Sequence, residues 1–215
     1  MIVIATNNGM KFLPNLLSSI EKHGRHGQDV CIVDTGSTDP VFISYLATIS
    51  NYIVTKTPYS GYDTGAYVWA YQNYKSDEYI FMHDSLEILT NDWIEAFRYY
   101  KCDVCYYAGF PIQFDEDAQK NRLIDIGIYN QAAPYGIFGP IFYANRSAMD
   151  KVAARFDLNS VIPTTKLDQM GMERGWSMMF ETVGARISWL SMINRDLAYE
   201  NVLYRSMRKY RPSRG

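Results

Sequence analysis

Apolar positions in the first half of the chain alternate between the pattern of a buried strand and that of an amphipathic helix. Continuous apolar runs, typical of buried strands, occupy 2–5, 30–33, 52–54 and 79–82. Apolar residues at helical spacing occupy 10–22 and 65–74. A further helix is predicted to begin at Pro40, with Asp39 as its N-cap. This alternation predicts an α/β fold with a Rossmann-like, mostly parallel central sheet flanked by helices.

The second half of the chain has a less regular pattern. Helices are predicted from Asn91 or Asp92 to Tyr100 and over 146–155, 166–180 and 199–210, with strands at 103–107, 137–143 and 187–192. Residues 110–136 are rich in polar and turn-forming residues, which predicts a long loop, with or without a hairpin in it. No repeat or linker interrupts the pattern, so we expect a single domain over 1–215.

Polar clusters follow three of the predicted strands. They are Thr6-Asn7-Asn8, Asp34-Thr35-Gly36 and His83-Asp84-Ser85. Such residues also dominate simple turns, so each cluster alone has a structural explanation. Ligands of open α/β sheets bind at the carboxyl ends of the strands. Three clusters at that edge therefore predict a binding site there.

Composition and charge exclude some classes of function. Hydrophobic residues make up 47% and charged residues 20% of the chain, which predicts a folded core. The net charge is −2, but 205–215 holds five basic residues and no acidic one, so the rest of the chain is more acidic. These basic residues either contact phosphates or an anionic surface or are simply solvated. An acidic body argues against nucleic acid as the main partner.

The chain has an odd number of cysteines, Cys31, Cys102 and Cys105. The spacing Cys102-x-x-Cys105 is compatible with redox or metal chemistry, but no second pair exists and His is scarce. The sequence also shows no signal peptide and no apolar run long enough to span a membrane. We therefore expect a cytoplasmic protein with reduced, buried thiols.

Two segments resemble the N-terminal signature of the GT-A superfamily of glycosyltransferases, and of its family-2-like members in particular. One is the apolar run that leads into Thr6-Asn7-Asn8-Gly9, and the other is Ile32-Val33-Asp34-Thr35-Gly36-Ser37-Thr38-Asp39. The resemblance implies that Thr6 and Asp34 bind the nucleobase and ribose of a nucleotide-sugar donor, with Asn8 beside them. Carboxylate and hydroxyl oxygens can accept the hydrogen bonds of these groups.

Residues 61–66 resemble the Gly-x-Asp-x-Gly-Ala segment of the same family. This resemblance implies that Tyr62, Asp63 and Gly65 line the donor site, at a helix N-terminus that favours phosphate. Asp63 has a second interpretation as a simple helix cap.

The cluster His83-Asp84-Ser85 stands where the family has its Asp-x-Asp metal motif. The resemblance implies that Asp84 binds a divalent cation, Mn²⁺ or Mg²⁺, which stabilises the departing diphosphate. It also places His83 in the donor site. This chain offers one carboxylate where the family motif has two.

Asp168 and Arg174 resemble the Asp and Arg of a late family segment that carries the general base of inverting members. The resemblance implies that Asp168 deprotonates the acceptor hydroxyl and that Arg174 contacts the donor. Glu173 is an alternative base. Tyr135 and Trp176 are predicted to contact the acceptor.

The resemblance as a whole implies a metal-dependent, inverting hexosyltransferase that moves a sugar from a UDP-sugar to a hydroxyl of a glycan or glycoprotein. It divides the domain into a nucleotide-sugar-binding half (1–107), an acceptor and catalytic half (108–200) and a basic C-terminal helix or tail (201–215). Among glycosyltransferases the chain most resembles the compact enzymes of chlorella viruses, which would place it in the host cytoplasm.

Three alternatives differ from a glycosyltransferase. A degenerate module would bind sugar nucleotide or glycan without transfer, and the single carboxylate at Asp84 favours it. A nucleotidylyltransferase would need a Gly-rich basic loop after the first strand, where 6–11 has one Lys. A nicotinamide dehydrogenase would need Gly-x-Gly-x-x-Gly there, and the sequence lacks it.

Overall fold

The computed structural model describes residues 1–60, 62–192, 201–204 and 206–210. In the N-terminal half the strands are β1 (Ile2–Thr6), β2 (Val30–Asp34), β3 (Ile53–Lys56) and β4 (Glu78–His83). The helices between them are α1 (Leu13–His23), α2 (Pro40–Thr48) and α3 (Asp63–Asn73), and a short 3-10 turn (Gly9–Lys11) precedes α1. Asp39 caps α2 as expected, because its side chain accepts a hydrogen bond from the backbone N–H of Val41 at 2.9 Å.

The C-terminal half contains further strands and helices. The strands are β5 (Leu86–Ile88), β6 (Val104–Pro111), β7 (Tyr135–Ile137), β8 (Phe142–Asn145), β9 (Ile187–Met192), β10 (Asn201–Tyr204) and β11 (Met207–Tyr210). The helices are α4 (Trp93–Arg98), α5 (Asp117–Asp125), α6 (Arg146–Arg155) and α7 (Lys166–Thr182).

One mixed sheet organises the fold. Its strand order is β3-β2-β1-β4-β8-β6-β7, and β9 also pairs with β6. The pairs among β3, β2, β1 and β4 are parallel, as is the β6–β9 pair, whereas β8 runs antiparallel to both of its neighbours. The predicted α/β architecture is therefore confirmed. Because β1, β2 and β4 are parallel, their carboxyl ends meet at one edge, where Thr6 is level with Asp34 and Ala5 with His83.

Two cores cover the two faces of this sheet. Val3 and Ala5 face the core that includes Tyr67 of α3. Ile2 and Ile4 face the core that includes the leucines of α1. Since helices cover both faces, β1 and β2 are buried along their whole length, which explains their unbroken apolar runs.

The predicted C-terminal helix over 199–210 is wrong for the residues that the structure describes. Instead, β10 and β11 form an antiparallel pair, and β11 also pairs with β5. Residues 199, 200 and 205 lie outside the described residues. Arg, Lys and Met favour helices, but such propensities amount to less than about 1 kcal/mol per residue, and pairing with an available strand outweighs them.

Two expectations for the middle of the chain also need correction. The predicted loop over 110–136 contains α5, whose Leu123 and Gln119 are buried. The single strand predicted over 137–143 is two strands, β7 and β8, because the chain turns at Gly139, where φ is +55°. Within the described part of the chain, no helix combines the length and apolar character needed to cross a bilayer.

Candidate active site

A cavity of about 280 Å³ opens at the carboxyl ends of β1 and β4. It is lined by Ala5, Thr6, Asn7, Thr35, Asp63, His83, Asp84, Ser85, Gly139, Lys166, Gln169, Glu173, Lys209 and Tyr210. The strand ends, the N-terminus of α3, one face of α7 and strand β11 thus contribute to it. Of the side chains predicted for the donor and metal site, the cavity brings together Thr6, Asp63, His83 and Asp84.

Asp84 follows β4 directly and is held in place from β1. Its backbone N–H donates to the carbonyl of Ala5 at 3.2 Å, and the Thr6 hydroxyl donates to its carboxylate at 2.6 Å. Burial raises the pKa of Asp84 to about 7; the Thr6 hydrogen bond opposes this rise and the nearby Asp63 carboxylate adds to it. Bringing a cation or another positive group to this carboxylate would favour its ionised form.

Gly9 packs against this pair and leaves no room for a side chain. A Cβ at Gly9 would lie 2.1 Å from Oδ2 of Asp84 and 2.3 Å from the Thr6 hydroxyl oxygen. The Thr6–Asp84 pair therefore depends on a glycine in the turn after β1.

Asp63 is the first residue of α3 and a second carboxylate of the cavity. Burial raises its pKa to about 6, while the positive charges of Lys209 and Lys166 act in the opposite direction. The alternative that Asp63 is simply an N-cap finds no support, because Tyr62 is the N-cap residue and no side chain caps the helix.

His83 is neutral because burial lowers its pKa well below the usual value, and Lys209 and Lys166 lower it further. The backbone N–H of Ser85 lies 3.3 Å from its Nδ1, and the Ser85 hydroxyl lies 2.9 Å from the same atom. Since Nδ1 accepts a hydrogen bond, the proton of the neutral ring resides on Nε2. His83 can therefore donate a hydrogen bond from Nε2.

The cavity lining also includes residues that were not predicted from the sequence, among them Lys166, Gln169, Lys209 and Tyr210. Lys166, Gln169 and Glu173 are spaced i, i+3 and i+7 on α7, so they lie on one helix face, and this spacing was readable from the sequence. Gln169 is 4% exposed, and its Nε2 has no hydrogen-bond partner among the described residues. A ligand with acceptor oxygens in the cavity would give this buried donor a partner.

Asp168 does not line the cavity. Its carboxylate accepts hydrogen bonds from the backbone N–H groups of Thr164 and Thr165, at 3.0 Å each, and from the Thr164 hydroxyl at 2.8 Å. Burial favours its neutral form, but these hydrogen bonds outweigh burial and hold the pKa of Asp168 below its usual value. Asp168 and Thr165 form a capping box for α7. The acid of α7 that faces the cavity is Glu173.

Arg174 and Trp176 do not line the cavity either. The Arg174 guanidinium donates to the carbonyls of Gln113 and Met170 and lies 5.0 Å from the ring centroid of Phe110. Trp176 is fully buried, and its indole N–H donates to the Thr64 hydroxyl at 3.1 Å. The predicted acceptor contact of Trp176 needs correction, because a side chain with no exposed surface cannot stack on a sugar.

Asn8 and Asp34 hold the turn beside the cavity. The Asn8 side chain accepts hydrogen bonds from the N–H groups of Thr38 and Asp39, at 2.9 Å each. The buried Asp34 carboxylate accepts one from the Ser37 N–H at 2.9 Å. These contacts connect the ends of β1 and β2, and both side chains lie outside the cavity lining.

The remaining predicted site residues, Gly65, Tyr62 and Tyr135, do not line the cavity. Gly65 packs against Tyr59, where an added Cβ would lie 2.9 Å from the Tyr59 Cβ. Tyr62 is half-buried at the start of α3, and Gly61 lies outside the described residues. Tyr135 is half-buried against the Trp189 ring, with centroids 4.9 Å apart.

The described residues alone do not provide a complete set of metal ligands. In the described ranges, no three His, Cys, Asp or Glu side chains form a group that would hold a metal ion. Asp84 supplies one buried carboxylate, and carboxylate oxygens are the hard ligands that Mn²⁺ and Mg²⁺ prefer. The residues therefore fit a cation that takes its other ligands from a bound diphosphate and water.

The fold of this chain is similar to that of solved structures, whereas its sequence matches no family model and no curated protein is similar enough to count as a relative. The fold is similar to that of TarS residues 1–349 from S. aureus in complex with UDP, with a TM-score of 0.52 and 18% identity over 92% of this chain. This chain spans 58% of that TarS chain.

A second similar structure is glucosyl-3-phosphoglycerate synthase from Mycobacterium tuberculosis in complex with Mn²⁺, UDP and phosphoglyceric acid. The TM-score is 0.53, with 13% identity over 98% of this chain and 70% of that one. At these identities the similarity shows a shared fold. It agrees with the α/β architecture that the sequence predicts.

Proposed function

We propose that this chain is a glycosyltransferase that binds a UDP-sugar in the cavity at the ends of β1 and β4. The observation that carries the proposal is the position of Asp84, held by Thr6 at the carboxyl edge of the parallel strands. This edge is where open α/β sheets bind their ligands. Two proteins of the same fold are described in complex with UDP, one of them also with Mn²⁺.

A divalent cation bound with the donor would take Asp84 as its carboxylate ligand and would neutralise charge on the diphosphate. The Thr6 hydroxyl orients the Asp84 carboxylate. His83 offers its Nε2–H as a neutral hydrogen-bond donor beside it.

Glu173 is the better candidate for the general base than Asp168, since it lines the cavity and Asp168 is occupied by the capping box. In a direct displacement, Glu173 takes the proton of the acceptor hydroxyl while that oxygen forms a bond to the anomeric carbon. The bond between this carbon and the diphosphate oxygen breaks, and UDP leaves with the electron pair. Such a step inverts the anomeric configuration.

Glycan or glycoprotein hydroxyls remain our proposed acceptors, on the basis of the sequence resemblance. Tyr135, half-buried against Trp189, remains a proposed acceptor contact. The relation to chlorella virus enzymes stays a prediction from the sequence.

Calorimetry in Mn²⁺ tests the donor assignment. UDP is expected to bind at least about tenfold more tightly than GDP or CMP, a difference of about 1.4 kcal/mol. Equal binding of all three nucleotides, with and without Mn²⁺, would contradict both the donor and the metal assignment.

A sugar-nucleotide-binding module without transferase activity is the second candidate, and the single carboxylate at Asp84 favours it. The two are separated by incubating the protein with a panel of UDP-sugars and measuring UDP release with and without oligosaccharide acceptors. Acceptor-stimulated release supports the enzyme. Binding of UDP without release from any donor supports the module.

A further inference from the structure

Strand β11 forms one wall of the candidate active site. It pairs antiparallel with β5, which places Lys209 level with Leu86, two residues beyond Asp84. The backbone N–H of Tyr210 donates to the Ser85 carbonyl at 2.8 Å. This pairing fixes the position of Lys209 relative to the 83–85 segment.

The Lys209 ammonium lies inside the site rather than in solvent. The side chain is 9% exposed, and its Nζ lies 4.4 Å from the ring centroid of Phe138. A Cβ added at Gly139 would lie 1.6 Å from this Nζ and 3.3 Å from Nε2 of His83. The absence of a side chain at Gly139 therefore allows the ammonium to approach His83.

The other polar groups of the cavity indicate what it binds. Lys166 adds a second ammonium, and Gln169 adds the buried N–H₂ group that has no partner among the described residues. Groups of this kind are satisfied by a ligand rich in acceptor oxygens and negative charge. The carboxylates of Asp63, Asp84 and Glu173 line the same cavity and would repel such an anion. A positive charge fixed in the cavity would offset this repulsion.

We propose that Lys209 is a cation that binds the donor diphosphate, so that strand β11 completes the donor site. This inference rests on the proposed function. When the bond to the sugar breaks, the departing diphosphate oxygen gains negative charge, and an ammonium fixed beside it stabilises that charge. Lysine suits this role as a compact positive charge with three N–H donors.

The test compares Lys209→Met with Arg208→Met. Arg208 is the preceding residue of the same strand, pairs with Glu87 at 3.4 Å and does not line the cavity. Calorimetry in Mn²⁺ measures the affinity for UDP and for uridine, which lacks the diphosphate. Lys209→Met is expected to weaken UDP binding about 10- to 100-fold and to leave uridine binding within about twofold. Arg208→Met is expected to leave both affinities within about twofold of the parent protein.

Three results would overturn the inference: UDP binding unaffected by Lys209→Met, an equal loss of uridine binding, or an equal effect of Arg208→Met. Lys209→Arg, which keeps the charge, should retain most of the UDP affinity. If urea unfolding shows that Lys209→Met is not folded, Lys209→Gln replaces it with the same expectations. A parent protein that does not bind UDP defeats the proposed function itself, whereas UDP binding insensitive to Lys209 defeats only this inference.

Discussion

The hydroxyl of Thr6, at the end of β1, donates a hydrogen bond of 2.6 Å to the carboxylate of Asp84, the residue that follows β4. This contact joins two neighbouring parallel strands at the edge where the cavity opens. It also lowers the pKa of Asp84 against the effect of burial. The pair therefore controls how much of the Asp84 carboxylate is ionised near neutral pH.

Thr6→Val is expected to weaken Mn²⁺-dependent UDP binding roughly tenfold at pH 7. Without the hydroxyl, the pKa of Asp84 rises further, so less of the carboxylate is ionised and able to bind a cation. The affinity should recover as the pH is raised to 8.5. Thr6→Ser keeps the hydroxyl and serves as the control. Calorimetry between pH 6.5 and 8.5 checks both variants, and parent-like binding by Thr6→Val at every pH would refute the link.

Asp84→Asn is expected to stabilise the metal-free protein at alkaline pH. The folded pKa of Asp84 is about 7, above the ordinary value of 3.8, so its contribution to stability is fully present below about pH 4 and is lost as the pH rises through 7. Removing the buried charge should therefore increase the free energy of unfolding by about 2–4 kcal/mol at pH 8 and by little at pH 4. Urea unfolding in chelator measures this.

Asp168→Asn is the control for Asp84→Asn, and its effect on the free energy of unfolding is expected to have the opposite sign. The pKa of Asp168 is lowered by its capping hydrogen bonds, so its contribution is present above the ordinary carboxyl pKa and is lost in acid. Asp168→Asn should thus lower stability by about 1 kcal/mol at pH 7. An Asp84→Asn variant that is no more stable than the parent at pH 8 would show that the carboxylate is not destabilised by burial.

The sequence was sufficient to predict that polar residues at the ends of several strands meet at one edge of the sheet. Buried strands are readable because β1 and β2 are apolar up to their last residues, Thr6 and Asp34. Parallel pairing of β1 with β4 then brings Thr6 and Asp84 together. The position of Lys209 was not readable in this way. It depends on β11 pairing with β5, a contact between residues more than a hundred positions apart, and nothing local in 207–210 specifies that partner.

The choice between Asp168 and Glu173 as the base depends on a different physical feature. Asp168 and Glu173 occupy one helix, and resemblance to a family segment does not say which helix face meets the cavity. The local signal was present, because Thr165 stands three residues before Asp168, as in a capping box. The i, i+3, i+7 spacing of Lys166, Gln169 and Glu173 marks the face that lines the cavity.

Glu173→Gln is expected to reduce sugar transfer about 10²- to 10⁴-fold while UDP affinity changes little. The amide keeps the shape of the side chain but cannot remove the proton from the hydroxyl of the sugar acceptor. Asp168→Asn should keep transfer within a few-fold of the parent protein once its lower stability is allowed for. Initial rates with saturating UDP-sugar measure both. If Asp168→Asn abolishes transfer and Glu173→Gln does not, the assignment of the base is reversed.

Gly9→Ala is expected to disrupt the site without replacing any charged residue. The new methyl group would lie 2.1 Å from Oδ2 of Asp84 and 2.3 Å from the Thr6 hydroxyl oxygen, so the two side chains must separate. We expect Mn²⁺-dependent UDP affinity to fall at least about tenfold, as for Thr6→Val.

Gly171→Ala is the matched control for this substitution. Its Cβ would meet nothing closer than the Gln119 carbonyl oxygen at 3.5 Å, an ordinary contact, and it lies inside α7. Alanine there should leave UDP binding unchanged and raise stability by about 0.5–1 kcal/mol, because glycine is unfavourable in a helix interior. Calorimetry and urea unfolding check both variants. Normal UDP binding by a folded Gly9→Ala protein would show that close packing at Gly9 is not required, and that Thr6 and Asp84 can bind the donor without direct contact.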